Sequence, residues 1–257
     1  LALSGNGSIA NSRVIGDGTL DISGSNGSAA VKSLGGAGAV LLGGQTLTLT
    51  RASDTFTGSM GGSGGLAITG GTAVLAGDIR YTGRTSIGAG ATLALSGATS
   101  LARSSGVVAN GTFDVRDASS VQIQTLSGSG AVELGANTLH LANADGRFTG
   151  VISGAGGLDL MAGRETLGGN NTYRGNTTIA RDATLALEGN GSIARSRVDL
   201  AGTLDISGSQ GRAAVKSLAG AGTVRLGSQT LTLTDASDTF GGAIGGAGGI
   251  DVAGGKL

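Results

Sequence analysis

Proline, cysteine and tryptophan are absent from this sequence of 257 residues, and four phenylalanines with two tyrosines are its only aromatics. Without cysteine there is no disulfide scaffold and no thiolate metal site, although the compartment stays open because reducing and oxidising environments both tolerate that absence. Aromatics at 2% are too few for an ordinary globular core, which draws on them for volume. Collagen needs proline as well as glycine at every third position, and disorder needs low hydrophobicity, whereas hydrophobic residues here reach 39%. Charge is sparse and balanced, 17 Lys plus Arg against 17 Asp plus Glu, with no basic stripe. Nucleic acid is therefore not expected as a partner, since phosphate neutralisation dominates such binding. No apolar run approaches the roughly 18 residues of a membrane helix, and Leu1 opens on patterned sequence with no signal-peptide features.

What the sequence has in abundance is glycine, 53 residues, and an internal repeat. Leu-Ala-Leu begins at Leu1, Leu93 and Leu185, a period of 92 residues. Residues 185–257 overlay residues 1–73 without a gap, with 51 identities in 73 positions, so the duplication is recent. The copies run 1–92, 93–184 and 185–257; the middle one is the most diverged, and the third stops in mid-repeat. We expect one continuous solenoid over 1–257, cut from a longer array.

Within each copy, strands of the Thr-Leu-x-Leu kind begin near Leu1, Leu20, Leu47, Ala73 and Leu93, a mean interval of about 23 residues that matches one coil of a β-solenoid. That spacing predicts about 11 coils, or a length of roughly 50 Å at the inter-strand distance. Residues alternate with period two: Leu1 and Leu3, Leu20 and Ile22, Leu47 and Leu49 point one way, while Ala2, Asp21 and Thr48 point the other. Helix is excluded by that period and by glycines that would each cost a helix about 1 kcal/mol. Gly-Asn-Gly-Ser at Gly5 and Gly-Ser-Asn-Gly at Gly24 supply corners. The fold class is all-β, a parallel β-helix, in which proline is avoided because each coil needs its backbone N–H groups. Leu3, Leu20, Ile22, Leu47, Leu49, Leu95, Leu187, Leu204 and Ile206 are the expected core. Phe56, Phe148 and Phe240 are equivalent, as are Tyr81 and Tyr173. They are either sugar-stacking platforms or core plugs; repeat-locked positions favour plugs. Glu165 falls at an inward position, occupied by Ala73 and Leu257 in the other copies. A buried unpaired carboxylate is costly, so a local register change should turn it outward.

Chemistry is hard to find. His140 is the one histidine, and its counterparts Thr48 and Thr232 put it on the outward side of a strand, which gives a Ser-His-Asp triad or a histidine metal site almost no support. Gly61-Gly62-Ser63-Gly64-Gly65 fits the esterase pattern Gly-x-Ser-x-Gly, but so glycine-rich a chain produces one match by chance, and alanine replaces the serine at Ala247. Calcium-binding repeats need aspartate in Gly-Gly-x-Gly-x-Asp; here Asp251 comes one position late. Asp21, Asp114 and Asp205 recur once per copy, four coils and roughly 19 Å apart, too far to pair as the carboxylates of a glycosidase. A continuous threonine grid of the ice-binding kind does not form around Thr46-Leu47-Thr48-Leu49-Thr50, because adjoining strands carry other residues. No catalytic, cofactor-binding or metal-binding residue and no cofactor are expected.

One stretch is more specific. Gly169-Asn170-Asn171-Thr172-Tyr173-Arg174-Gly175-Asn176-Thr177-Thr178-Ile179, followed by Ala183-Thr184-Leu185, closely resembles the passenger-associated repeat of Gram-negative autotransporters. Tyr81-Thr82-Gly83-Arg84-Thr85-Ser86-Ile87 is similar, with Asp78-Ile79-Arg80 in place of Asn-Asn-Thr. The motif covers about a quarter of the chain, and the Gly-Thr-Leu-Asp-Ile-Ser-Gly strands look like autotransporter passengers more generally. The resemblance implies a right-handed parallel β-helix exported through a C-terminal outer-membrane β-barrel of the same polypeptide and displayed at the cell surface or released. Two functions follow from it: a non-enzymatic adhesin or rigid adhesive stalk meeting a host or bacterial surface protein or glycan, with possible self-association, or a stalk carrying an N-terminal protease or esterase domain.

Overall fold

The computed structural model describes every residue except Ser120 and Arg212, and it is a parallel β-solenoid of about 12 turns with no helix among the described residues. Two compact units divide it, residues 1–124 and 125–257.

In the first unit the chain lays down three parallel sheets in rotation. The first sheet takes Ala2–Gly5, Thr19–Ser25, Ala39–Gly43, Ser59–Gly62 and Asp78–Ile79. A second takes Ile9–Ile15, Ala29–Gly35, Leu47–Leu49, Leu66–Ile68, Thr85–Ile87 and Val107–Ala109, and a third takes Thr55–Phe56, Thr72–Leu75, Thr92–Gly97 and Thr112–Ala118. The second unit is built the same way, with sheets running from Leu139–Leu141 to Ile250–Val252 and from Ala144–Phe148 to Ala243–Gly246, and with Ala131–Glu133 beside Val151–Ser153.

Inward positions stack on inward positions: Leu20 pairs with Val40 and Val40 with Met60, while Leu47 pairs with Leu66. Every residue of the expected core is buried, Leu3 being the most open at 7%. Aliphatic ladders of this kind hold a glycine-rich chain together, because each coil buries its apolar face against the next.

The coil length differs from the expectation. Leu20 faces Val40, Leu47 faces Leu66 and Thr85 faces Val107, so one turn takes roughly 20 residues and is shorter than the spacing of Thr-Leu-x-Leu strands implies. Leu47 does not lie above Leu20; it belongs to the second sheet, and the intervals between Thr-Leu-x-Leu strands mix whole turns with turns plus a face.

The 92-residue repeat does not close on a whole number of turns. From Ala2–Gly5 the chain returns to the first sheet four times, ending at Asp78–Ile79, then crosses the second sheet and reaches the third at Thr92–Gly97. One copy therefore winds about four and two-thirds turns, and Leu95 occupies a different sheet from its counterpart Leu3. Within the second unit Val132 and its counterpart Val224 are likewise on different sheets.

Glycine is required where coils touch at a corner. A Cβ on Gly58 would lie 1.8 Å from the carbonyl oxygen of Gly38, and one on Gly77 would lie 1.9 Å from that of Gly58. No side chain fits such a column.

Candidate functional site

The aromatic positions point inward. Tyr81, Tyr173 and Phe148 are fully buried, Phe56 nearly so, and Phe240 is half-buried. Each tyrosine satisfies its hydroxyl in the same way. Tyr173 Oη is 2.6 Å from Thr177 Oγ1, Thr177 Oγ1 is 2.7 Å from Ser196 Oγ on the next coil, and Ser196 Oγ donates to the Gly175 carbonyl at 2.6 Å. In the preceding copy Tyr81, Thr85 and Ser104 repeat the chain, ending on the Gly83 carbonyl. Both threonines interrupt aliphatic ladders, Thr177 between Leu158 and Val198, so an apolar row accepts a polar atom only because a phenol meets it. Burial raises both phenol pKa values above the ordinary range, opposed by the hydrogen bonds.

Asn171, also buried, receives the amide of Ile152 on Oδ1 at 2.9 Å and donates through Nδ2 to the carbonyls of Gly169 and Ser192. The residues that give the Asn-Asn-Thr-Tyr segment its passenger-like appearance thus clamp three consecutive coils.

The two residues with the best claim to catalysis belong to different units. In the first, Ser63 is exposed and its Oγ donates to the Gly43 carbonyl at 3.2 Å. In the second, His140 lies outward as expected, its side chain 39% exposed, and its Nδ1 is 2.9 Å from Asp159 Oδ2 one coil on. That histidine–carboxylate pair is not visible in the sequence, since only the register between coils brings the two together. No nucleophile joins it in the contacts of the described residues, and no group of three or more His, Cys, Asp or Glu residues that could hold a metal ion occurs among them.

The recurrent aspartates do not form one file. Asp21 is in the first sheet of the first unit and Asp114 in the third. Asp21 is held below the usual carboxylate range by Ser23, Asp114 by Arg116, and in the second unit the partial burial of Asp205 is outweighed by Ser207 and Arg164. Arg164 reaches Asp205 two coils away, at 3.1 Å, and Arg147–Glu188, Arg197–Asp238 and Arg13–Asp54 span the same two-coil interval. These are surface staples, each of modest worth.

Glu165 contradicts the expectation that it turns outward. Its strand Gly163–Leu167 pairs with Ala183–Leu187 without a register shift, which leaves its side chain inward and fully buried. The slot exists because its partner on the preceding coil is Gly146, where a Cβ would come 2.9 Å from Glu165 Oε2. Neither carboxyl oxygen has a hydrogen-bond partner in the protein. Burial first, and then the charge of Asp145, push the acid well above its ordinary range; the Leu126 backbone pulls the other way without reaching hydrogen-bond geometry. Glu165 is thus a buried acid whose surroundings favour the neutral form.

No known family model, curated protein or solved structure matches this chain.

Proposed function

We propose that this chain is a passenger segment of an autotransporter, displayed on or released from the bacterial surface, and that it serves as a non-enzymatic adhesin or the rigid stalk of one. The observation that carries the reading is the parallel solenoid whose passenger-like segments, at Tyr81 and Asn171 to Thr177, lock neighbouring coils through buried hydrogen bonds. Threonines stack on threonines in short rows, Thr72 on Thr92 and Thr112 in the first unit and Thr184 on Thr203 and Thr223 in the second, and many weak contacts at such repeated positions would add to useful avidity. A C-terminal outer-membrane β-barrel on the same polypeptide would deliver it, with a surface protein or glycan as its partner. The absence of catalysis is part of the proposal; it is supported by Ser63 being bound to its neighbouring coil and by the His140–Asp159 pair having no nucleophile beside it among the described residues.

Antibody raised against residues 1–257 should label intact bacteria that express the full gene, and beads coated with the chain should adhere to host or bacterial cells. Labelling seen only after lysis would refute surface display. Beads that adhere no better than albumin-coated ones would refute the adhesive role, leaving the stalk of an upstream protease or esterase domain as the alternative, which the complete reading frame would reveal.

A further inference from the structure

We propose that two surface notches, one in each unit, bind carboxylate or sulfate groups of an acidic polysaccharide. The proposal rests on the adhesive reading above and names its ligand class.

The notches arise at equivalent places in the first and third copies. In Ile9–Ile15 the register slips between Ile9 and Arg13, and in Ile193–Leu200 between Ile193 and Arg197. At each slip a threonine two coils away reaches the freed backbone: Thr50 Oγ1 donates to the Ala10 carbonyl at 3.1 Å, and Thr234 Oγ1 to the Ala194 carbonyl at 2.8 Å. An open notch lies beside each bridge. The first, about 440 Å³, is lined by Asn11, Lys32, Thr50 and Arg51; the second, about 330 Å³, by Arg174, Arg195, Lys216, Thr234 and Asp235.

Positive charge gathers in these notches. Arg13 and Arg197, which leave the same slips, are tied to Asp54 and Asp238. In the notches Lys216 meets Asp235 at 3.7 Å, but Lys32, Arg51, Arg174 and Arg195 have no acidic partner among the described residues. Each notch carries a net charge of two positive units although the copies differ in sequence: Asn11 corresponds to Arg195 and Arg51 to Asp235. Two unpaired cations fit the charge of an anionic sugar, while the threonine oxygen, its proton already given to the backbone, can accept from a sugar hydroxyl and, in the first notch, the Asn11 amide can donate to a ring oxygen. Nucleic acid would want an aromatic platform and a lipid an apolar rim, and neither notch has one. Because exposed cations are individually weak, a polymer repeating its charge suits them better than a single ion.

The test uses the whole chain, immobilised, with heparin and polygalacturonate as acidic polysaccharides, dextran as the neutral one, inorganic sulfate, and phosphatidylglycerol vesicles. Both acidic polymers should bind at about 0.05 M salt and weaken as salt rises, and dextran should not bind. Lys32→Gln with Arg51→Gln, or Arg174→Gln with Arg195→Gln, should each lower affinity about threefold, and all four together roughly tenfold or more. Arg84→Gln with Arg225→Gln, at exposed positions outside the notches, should leave it within about twofold. Failure to bind either acidic polymer, an equal loss in the Arg84/Arg225 variant, or tighter binding to vesicles or free sulfate than to the polymers would overturn the proposal. If the polymers fail to bind while coated beads still adhere to cells, only the ligand assignment falls; if they bind and the beads do not adhere, the adhesive reading falls instead.

Discussion

Replacing Glu165 by glutamine should remove a pH dependence from the stability of the second unit. In the unfolded chain this acid titrates near its ordinary 4.5, whereas in the folded chain burial lifts it well above that value. Between the two values the folded state holds one proton more than the unfolded state. The stability linked to Glu165 is therefore fully present below about pH 4.5 and is lost as pH rises toward the folded pKa, the folding equilibrium weakening about tenfold per pH unit. Glutamine keeps the shape and cannot ionise, so its stability should run flat where the wild type declines. Leucine also removes two carboxyl oxygens that have no partner, and Glu165→Leu should be about 1–3 kcal/mol more stable than wild type even at acidic pH. The leucine would have Gly146 below it and Leu185 above, an apolar ladder position. Urea unfolding midpoints taken from about pH 4 to about pH 8, with hydrogen exchange at the amides of Gly146 and Leu185, measure this directly. Parallel pH profiles for wild type and Glu165→Gln would mean that the carboxyl is solvated or paired, and the buried-acid account would be wrong.

Leu204→Asp places a charge in the ladder between Leu185 and Val224 and should cost several kcal/mol; an unchanged thermal midpoint would show that the register is misassigned. Tyr173→Phe leaves the Thr177 hydroxyl one partner short and should cost about 1–2 kcal/mol, and because Thr177 also meets Ser196, combining it with Ser196→Ala should give less than the sum of the separate losses in denaturant unfolding. Gly58→Ala drives a methyl group into the Gly38 carbonyl and should destabilise the first unit by several kcal/mol; a variant as stable as wild type, judged by calorimetry, would mean that this corner is looser than described.

Much of the fold is legible in the residues because period-two alternation reports a strand's two faces directly. It places Leu20, Ile22, Leu204 and Ile206 inward, and all are buried. What alternation does not report is which strand lies over which. Leu47 looks like Leu20 yet belongs to another sheet, and counting from one to the other overstates the length of a turn. Glu165 departs from expectation for a related reason: an inward carboxyl is tolerated where the residue beneath has no side chain, and Gly146 lies one coil earlier, visible only once the register is known. The His140–Asp159 contact and both basic notches depend on register too, the first on an unbroken pairing and the others on slips in it. The passenger-like segment stands out in the sequence by its composition, but its work is internal, since Asn171, Tyr173 and Thr177 spend their polar atoms inside the stack.

The winding of four and two-thirds turns per copy bears on how such a chain grows. A duplicated block of 92 residues starts one-third of a revolution out of phase with its parent, so its strands must settle into a wall that the parent used for different residues. That is possible only if the three walls are interchangeable in width and packing, and Leu3 and Leu95, both buried in different walls of one unit, show such an exchange accomplished. Duplication then acts like the thread of a screw. Within the first unit the second copy starts on a different wall from the first, so its surface residues are turned around the circumference as well as carried forward. A ligand site inherited by the next copy in such a unit would not lie in line with its parent; it would face another way, a useful property for a structure that cannot choose the direction from which its partner approaches.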